Sequence, residues 1–531
     1  MGIRTGKEYI ETLSAVSRRA SIFLNGKLVG DVTTEPFFQG TIASVAQQYD
    51  MQHDPRYRDI LTFPSPTTGE PVSTACMVPY SKEDLTKKRQ AYKLHTDQNF
   101  GYMGRAPHFM LSLVTGWYLG RDNFAKSGEQ FGENATRYYE YVRENDVFMT
   151  HVLINPQIDR SKASSEQEDP YIHLAKVRET DEGIIVRGAK MLGTMGPLTE
   201  EIVVVPFGGI APGDSEYALA FAVPLDAPGL KLICREPMSH PNQPFDHPLS
   251  SRFEEIDCFA IFDDVLVPWD RVIVPGRPGS EDIVNTASAQ AMGGGTAVQT
   301  AAQMLSQMEL CVGVAMKLAD SIGIAGFLHV QEKLGEMILM LELCRTAFYG
   351  SEALAQKGPT GIWAPGGFGV RAFRLQGIKF YERMVEIIRI LGGGGFFQAP
   401  TEADMNNPEI RPYIDKFMRG RTGYSAEERL KLFKLAWDIV GDAFGMRAQQ
   451  YVHFHGGDPI RLTAAGYLDY NKDPFFDIVD RALDGNQSIP ISPEHYPDTP
   501  ASRPSGQTLH AYPAIGVPQR TKPRDEQRAT D

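Results

Sequence analysis

The spacing of apolar residues changes twice along this chain, and that double change limits the folds open to it. Residues 182–189 (EGIIVRGA), 201–207 (EIVVVPF), 217–224 (YALAFAVP), 230–235 (LKLICR) and 257–268 (DCFAIFDDVLVP) are short runs rich in Val, Ile and Phe. Turn-forming residues part them: Asp181-Glu-Gly183, Pro212-Gly-Asp214 and Pro228-Gly229. Short strands separated in this way predict a small antiparallel β-barrel or sandwich. On both sides the apolar residues return to helical spacing. Upstream, residues 4–13, 33–48, 81–95 and 135–145 read as helices, the third capped by Ser81 with Asp84 three positions on. Downstream, residues 300–321, 332–354, 373–391 and 425–449 read as long helices, the last opened by the capping-box pair Ser425 and Glu428. The expectation is an α+β chain in three parts: an N-terminal helical domain over 1–145, a central antiparallel β domain over 146–279, and a C-terminal helical bundle over 280–531. From Pro490 the bundle gives way to a proline-rich extended arm.

Composition narrows what such a chain does. Its 531 residues carry a formal net charge of −13, with 42% hydrophobic residues. That charge argues against a nucleic-acid or anionic-membrane binder, whose affinity needs clustered Lys and Arg. No run of about 18 apolar residues occurs, so no transmembrane helix is expected, and MGIRTGKEYIETL has no apolar core of a signal peptide. The five cysteines, Cys76, Cys234, Cys258, Cys311 and Cys344, lack any CxxC or CxxxC spacing. A local thiolate metal site is therefore not expected, and a reducing cytoplasm fits the low count.

Glycine-rich stretches decide which nucleotide chemistry is open. Gly367-Phe-Gly369-Val-Arg-Ala372 matches GxGxxA but follows Trp363-Ala-Pro365 rather than a buried strand, with no βαβ pattern around it. Gly293–Gly295 and Gly392–Gly395 stand at helix ends and read as stops or hinges. Without a dinucleotide fingerprint, NADH is not expected to be oxidised on this chain.

Several motifs then add to one another. They are Tyr102-Met-Gly-Arg105-Ala106-Pro107, His151-Val-Leu-Ile-Asn-Pro-Gln157-Ile158-Asp159-Arg160, Gly188-Ala-Lys-Met-Leu-Gly-Thr194, Pro248-Leu-Ser-Ser-Arg252-Phe, Val265-Leu-Val-Pro-Trp269, Asn406-Asn-Pro408 and Gly457-Asp458-Pro459. In this order and spacing the chain resembles the 4-hydroxyphenylacetate 3-hydroxylase family, the oxygenase components of two-component, reduced-flavin-dependent aromatic monooxygenases. The resemblance implies an acyl-CoA dehydrogenase-like fold and FAD, delivered as FADH2 by a separate NAD(P)H:flavin reductase. It further implies O2 as co-substrate, a homotetramer, and hydroxylation of a phenol through a C4a-hydroperoxyflavin. Such chemistry needs a site that excludes water and polarises the substrate oxygen.

The resemblance also implies residues. Arg105 and His151 fall where the family surrounds the phenolic oxygen, Arg105 as a fixed cation and His151 as proton acceptor or hydrogen-bond donor. Ala106, Pro107, His108, Phe109, Gly208 and Gly209 would complete the substrate pocket, the two glycines on a closing loop. The cofactor would meet His151, Gln157, Ile158, Asp159, Arg160, Thr194, His455, Gly456, Gly457 and Asp458. The chain departs from the family pattern at Phe109, where a Tyr is expected. That leaves a nitrogen heteroaromatic, such as a pyridine or pyrrole carboxylate, as an alternative substrate, and a non-catalytic flavin-binding protein as a third reading. His453 and His455 form an HxH pair without an evident third ligand. A dehydratase relative's iron–sulfur set would need Cys near Asn99 and Met103, and neither is Cys. A true acyl-CoA dehydrogenase would need a carboxylate base such as Glu342 or Glu382.

Overall fold

A computed structural model describes residues 2–206, 209–291, 295–358, 360–366, 368–455 and 457–484. Gly208, Gly293, Gly367, Gly456 and the arm beyond Pro490 lie outside the described residues.

The chain begins with helices Gly6–Ser17 and Pro36–Met51, then Lys82–Gln98, Pro107–Leu119 and Glu129–Asn145. The capping boxes do what their spacing predicts. The Ser81 side chain accepts from the Asp84 amide, and the Asp84 carboxylate accepts from the Ser81 amide. Pro107 opens its helix in the first turn, where a missing N–H costs nothing. That turn fixes where Arg105 and Phe109 lie relative to each other.

The β region is two sheets. One has six strands in the order Lys27–Val29, Ser21–Leu24, Leu230–Cys234, Cys258–Pro268, Gly183–Lys190, Ala175–Glu179. The other has four: Val272–Pro275, Leu219–Pro224, Glu201–Val204, Met149–Val152. The antiparallel barrel or sandwich expected here is, among the described strands, two sheets with no closed barrel seen, and their pairing is not wholly antiparallel. Ser21–Leu24 pairs parallel with Leu230–Cys234, and Met149–Val152 pairs parallel with Glu201–Val204. Ser21–Leu24 alternates half-buried and buried positions, whereas Met149–Val152 is buried throughout, as a parallel strand covered on both faces is. A strand hairpin from the N-terminal helical stretch thus extends the larger sheet.

Four long helices follow, Ala297–Ser321, Leu328–Ala353, Gly369–Gly392 and Ala426–Val440, the first three close to their predicted spans. The predicted helix over 425–449 is two. Gly441 ends the first, Asp442 caps the next by accepting from the Phe444 amide, and Ala443–Phe454 is a separate helix. The apolar repeat runs through the break, so periodicity alone could not show it. Helix Gly369–Gly392 follows only a two-residue strand, Trp363–Ala364, which leaves GxGxxA without the βαβ unit a dinucleotide needs.

Candidate active site

The site lies where three elements meet. Arg105 precedes the helix Pro107–Leu119, His151 sits in the edge strand Met149–Val152, and the new helix Ala443–Phe454 brings Tyr451 and, at its C-cap, His455. The Arg105 guanidinium carbon stands 4.0 Å from the centre of the Phe109 ring and 5.4 Å from that of Tyr451. The Phe109 and His151 rings meet edge to face at 5.6 Å. Tyr451 stacks on His455 at 4.6 Å. Gly104 is required beside Arg105, because a Cβ there would come within 2.3 Å of the Tyr451 hydroxyl.

Arg105 and His151 are buried and Tyr451 and His455 half-buried, and several of their polar atoms are buried with no partner among the described residues. These are Nε and Nη1 of Arg105, Nδ1 of His151, the Tyr451 hydroxyl and Nε2 of His455. Buried polar atoms are paired in well over nine cases in ten, so five orphans in one spot mark a place built for a polar ligand. Arg105 is in no ion pair among the described residues, and its one side-chain hydrogen bond, 3.4 Å to the His455 carbonyl, is long. Its backbone N–H donates to Glu255 at 2.6 Å. Burial and then Arg105 push His151 well below its ordinary pKa, so it is neutral at physiological pH. Burial, Arg105 and Arg374 do the same to His455. Arg374 is itself lowered to about 10, by burial and then by Arg371 and Arg105. Arg105 therefore stands beside two neutral imidazoles, a setting for an electron-rich or anionic group.

A second shell of charge holds this arrangement. Arg447 donates to Glu255 and Asp257 at 2.9 Å each, and Arg235 reaches Asp257 at 2.9 Å and Glu254 at 2.5 Å. Burial alone would raise the Asp257 carboxyl, but Arg447 and then Arg235 hold it below the usual carboxylate range. Asp257 accepts from the Thr194 hydroxyl at 2.6 Å, and the Thr194 carbonyl accepts from Thr150 at 2.5 Å. Thr194 is thus tied to the helix that carries Tyr451.

Other candidates fall differently. His108 turns away from Arg105: it stacks on His95 at 4.6 Å and meets Gln299 at 3.1 Å. It does not replace the hydroxyl lost at Phe109. Ala106 and Pro107 are buried, and Gly209 is half-buried. Gln157, Ile158 and Arg160 are exposed on the loop after His151, where Asp159 accepts from the Ser161 amide at 3.0 Å. Gly457 is buried with φ +105°, a conformation that favours glycine, and Asp458 caps the next helix. His453 pairs with Glu382 at 2.9 Å on the surface while His455 points inward, so the HxH pair does not converge. Glu342 is exposed and engaged by Arg345. Sequence reasoning missed Arg447 and Tyr451, although with His455 they stand four residues apart on one helical face.

Fold and site together define an α+β chain of sheets and a helical bundle, with Arg105, His151 and Phe109 gathered against Tyr451 and His455. Sequence comparison places it further. Residues 5–274 match 4-hydroxyphenylacetate 3-hydroxylase N terminal, and residues 287–484 match 4-hydroxyphenylacetate 3-hydroxylase C terminal. The chain belongs to the 4-hydroxyphenylacetate 3-hydroxylase family. It is 40% identical over 472 residues to the 4-hydroxyphenylacetate 3-monooxygenase oxygenase component of Thermus thermophilus, spanning 89% of this chain and 95% of that one. It is 34% identical to the 4-nitrophenol 2-monooxygenase oxygenase component of a Rhodococcus species, over 86% of each. A solved oxygenase component complexed with FAD and 4-hydroxyphenylacetate superposes with a TM-score of 0.85 at 40% identity, covering 91% of this chain and 98% of that one.

Proposed function

We propose that the chain is the oxygenase component of a two-component, FADH2-dependent aromatic monooxygenase that hydroxylates a phenol. The observation that carries this reading is Arg105: a buried guanidinium in no ion pair among the described residues, over an aromatic ring and beside a neutral histidine. A phenolic oxygen entering there gains a charge-assisted hydrogen bond that strengthens as it becomes phenolate, which makes the ring a better nucleophile. His151 accepts or donates one hydrogen bond at the same oxygen. The Tyr451 hydroxyl, buried and unpartnered, supplies a donor that Phe109 lacks.

The orphaned buried atoms and the Gly457 turn fit FAD. His151, Thr194, His455, Gly456, Gly457 and Asp458 would hold it, with the exposed loop Gln157, Ile158, Asp159 and Arg160 beside it. Reduced FAD, when bound, supplies the activated oxygen. Thr194 gives its own proton to Asp257, so it would meet the cofactor as an acceptor. Gly208 and Gly209 belong to the loop proposed to close over the substrate.

A separate flavin reductase supplies the reduced cofactor in this reading, and the chain assembles as a homotetramer. Leu328, Leu339 and Leu343 support the assembly, being more than 60% exposed on the helix Leu328–Ala353. Phe109 favours one competitor, a nitrogen heteroaromatic that needs no phenol-binding Tyr. The deciding experiment combines the chain, FAD, an unrelated flavin reductase and NADH with phenols and pyridine or pyrrole carboxylates. Oxygenated phenol is expected by product mass. H2O2 alone across both sets refutes the enzyme reading, and oxygenated heteroaromatic alone refutes the phenol.

A further inference from the structure

The loop Arg235–Leu249, between the strand Leu230–Cys234 and the short helix Ser250–Phe253, carries His240 and His247 against the start of the helix Ala443–Phe454. The two imidazoles stack with centroids 3.5 Å apart. Asp442 Oδ2 lies 3.0 Å from His247 Nδ1 and 3.5 Å from His240 Nε2. Asp438, fully buried one turn earlier, places Oδ1 3.4 Å from His247 Nδ1, and that oxygen accepts no hydrogen bond among the described residues. The other Asp438 oxygen is occupied by the Leu249 and Ser250 amides. The ligand atoms of His240, His247 and Asp442 all lie within 4.8 Å of one another.

We propose that His240, His247 and Asp442, with Asp438 behind them, form a binding site for a divalent transition-metal ion, Zn2+ being the best match. The geometry fits. Zinc takes nitrogen and carboxylate donors at about 2.0–2.2 Å, which in a tetrahedral site separates the donors by about 3.4 Å. The spacings of 3.0 and 3.5 Å to Asp442 already lie near that value. Charge fits too: two carboxylates offset one dication when both imidazoles are neutral. The donors come from stretches about 200 residues apart, so no motif announces them, and no thiolate is involved. Asp442 caps the helix that carries Arg447 and Tyr451, so an ion there would pin the active-site helix to the β-region loop.

The test uses the full, untagged chain after treatment with a chelator. Zn2+ binding is read by competition with a chromophoric chelator, and Co2+ binding by the visible bands of a tetrahedral ion. One equivalent of Zn2+ per chain is expected. His240→Ala and Asp442→Asn should each weaken it at least about 10-fold and abolish the tetrahedral Co2+ bands. Asn at 442 can still cap the helix, and a thermal melt verifies folding of both variants. Absence of binding tighter than about 10⁻⁴ M, or equal affinity in both variants and the parent, would each overturn the site.

Discussion

Replacing Arg105 with Met separates recognition from stability. The Met side chain keeps the apolar stem over Phe109, and the backbone N–H still donates to Glu255. Only the cation goes. Because Arg105 is in no ion pair among the described residues, its loss strands no buried carboxylate, and the melting temperature should move by no more than a degree or two in either direction (about 0.5 kcal/mol or less, as for changes outside the damaging classes). A charge-assisted hydrogen bond to the substrate oxygen is worth about 1.5–3 kcal/mol net. At 1.36 kcal/mol per decade, kcat/KM for hydroxylation should fall roughly 10- to 150-fold. The His151 pKa, lowered by burial and secondarily by Arg105, should rise partway toward its ordinary value, moving the acid limb of the activity profile upward. The assay follows product, H2O2 and NADH together, with an unrelated reductase and a thermal melt of the same preparation. An unchanged product-to-H2O2 ratio on a turned-over phenol would show that Arg105 does not hold the substrate oxygen. A large loss of stability would show that it pairs with something essential to the fold.

Arg447→Met should behave oppositely, costing about 3–5 kcal/mol in chemical denaturation, because Glu255 and Asp257 lose their buried partner; a cost under 1 kcal/mol refutes that role. Phe109→Tyr should lower KM for 4-hydroxyphenylacetate roughly 2- to 12-fold, the worth of one neutral hydrogen bond, and no gain on any phenol would count against the phenol reading. Burial pushes His95 down to about 4. Above pH 6.5 it is neutral folded or unfolded; between 6.5 and 4 only the unfolded chain takes the proton, so stability falls by about 1.4 kcal/mol per pH unit from this group. His95→Gln should show a shallower slope in denaturation midpoints over that window, and an unaltered slope refutes the assignment. The pure chain, given NADH and FAD without a reductase, should consume NADH no faster than the solution background; rapid oxidation would contradict the absence of a dinucleotide fold.

Much of the architecture is legible in the residues. Period 3.6 located the bundle helices, period 2 located the antiparallel strands, and Ser81 and Ser425 marked helix starts, because each of these signals is local: one side-chain pattern, one turn, one cap. Arg105 and His151 could be singled out for a related reason, since a short motif preserves its residues in a line. What stayed hidden was non-local. Whether strands close a barrel depends on which edges pair, and Ser21–Leu24 joining Leu230–Cys234 is a contact across 200 residues with no local trace. The helix Ala443–Phe454 begins after a break at Gly441 that the apolar repeat runs straight through, and the approach of its Tyr451 to Arg105 is a contact between distant stretches. His108, adjacent to the motif, faces His95 because a helix rotates neighbouring side chains about 100° apart, so adjacency in sequence is not adjacency in space. The sequence by itself determined the bundle helices, most of the antiparallel strands and the chemistry of the motif. The tertiary structure decided which charges are paired and which are not, leaving Arg105 without a carboxylate while Arg447 has two, because pairing of buried charge is set by distances that only packing creates.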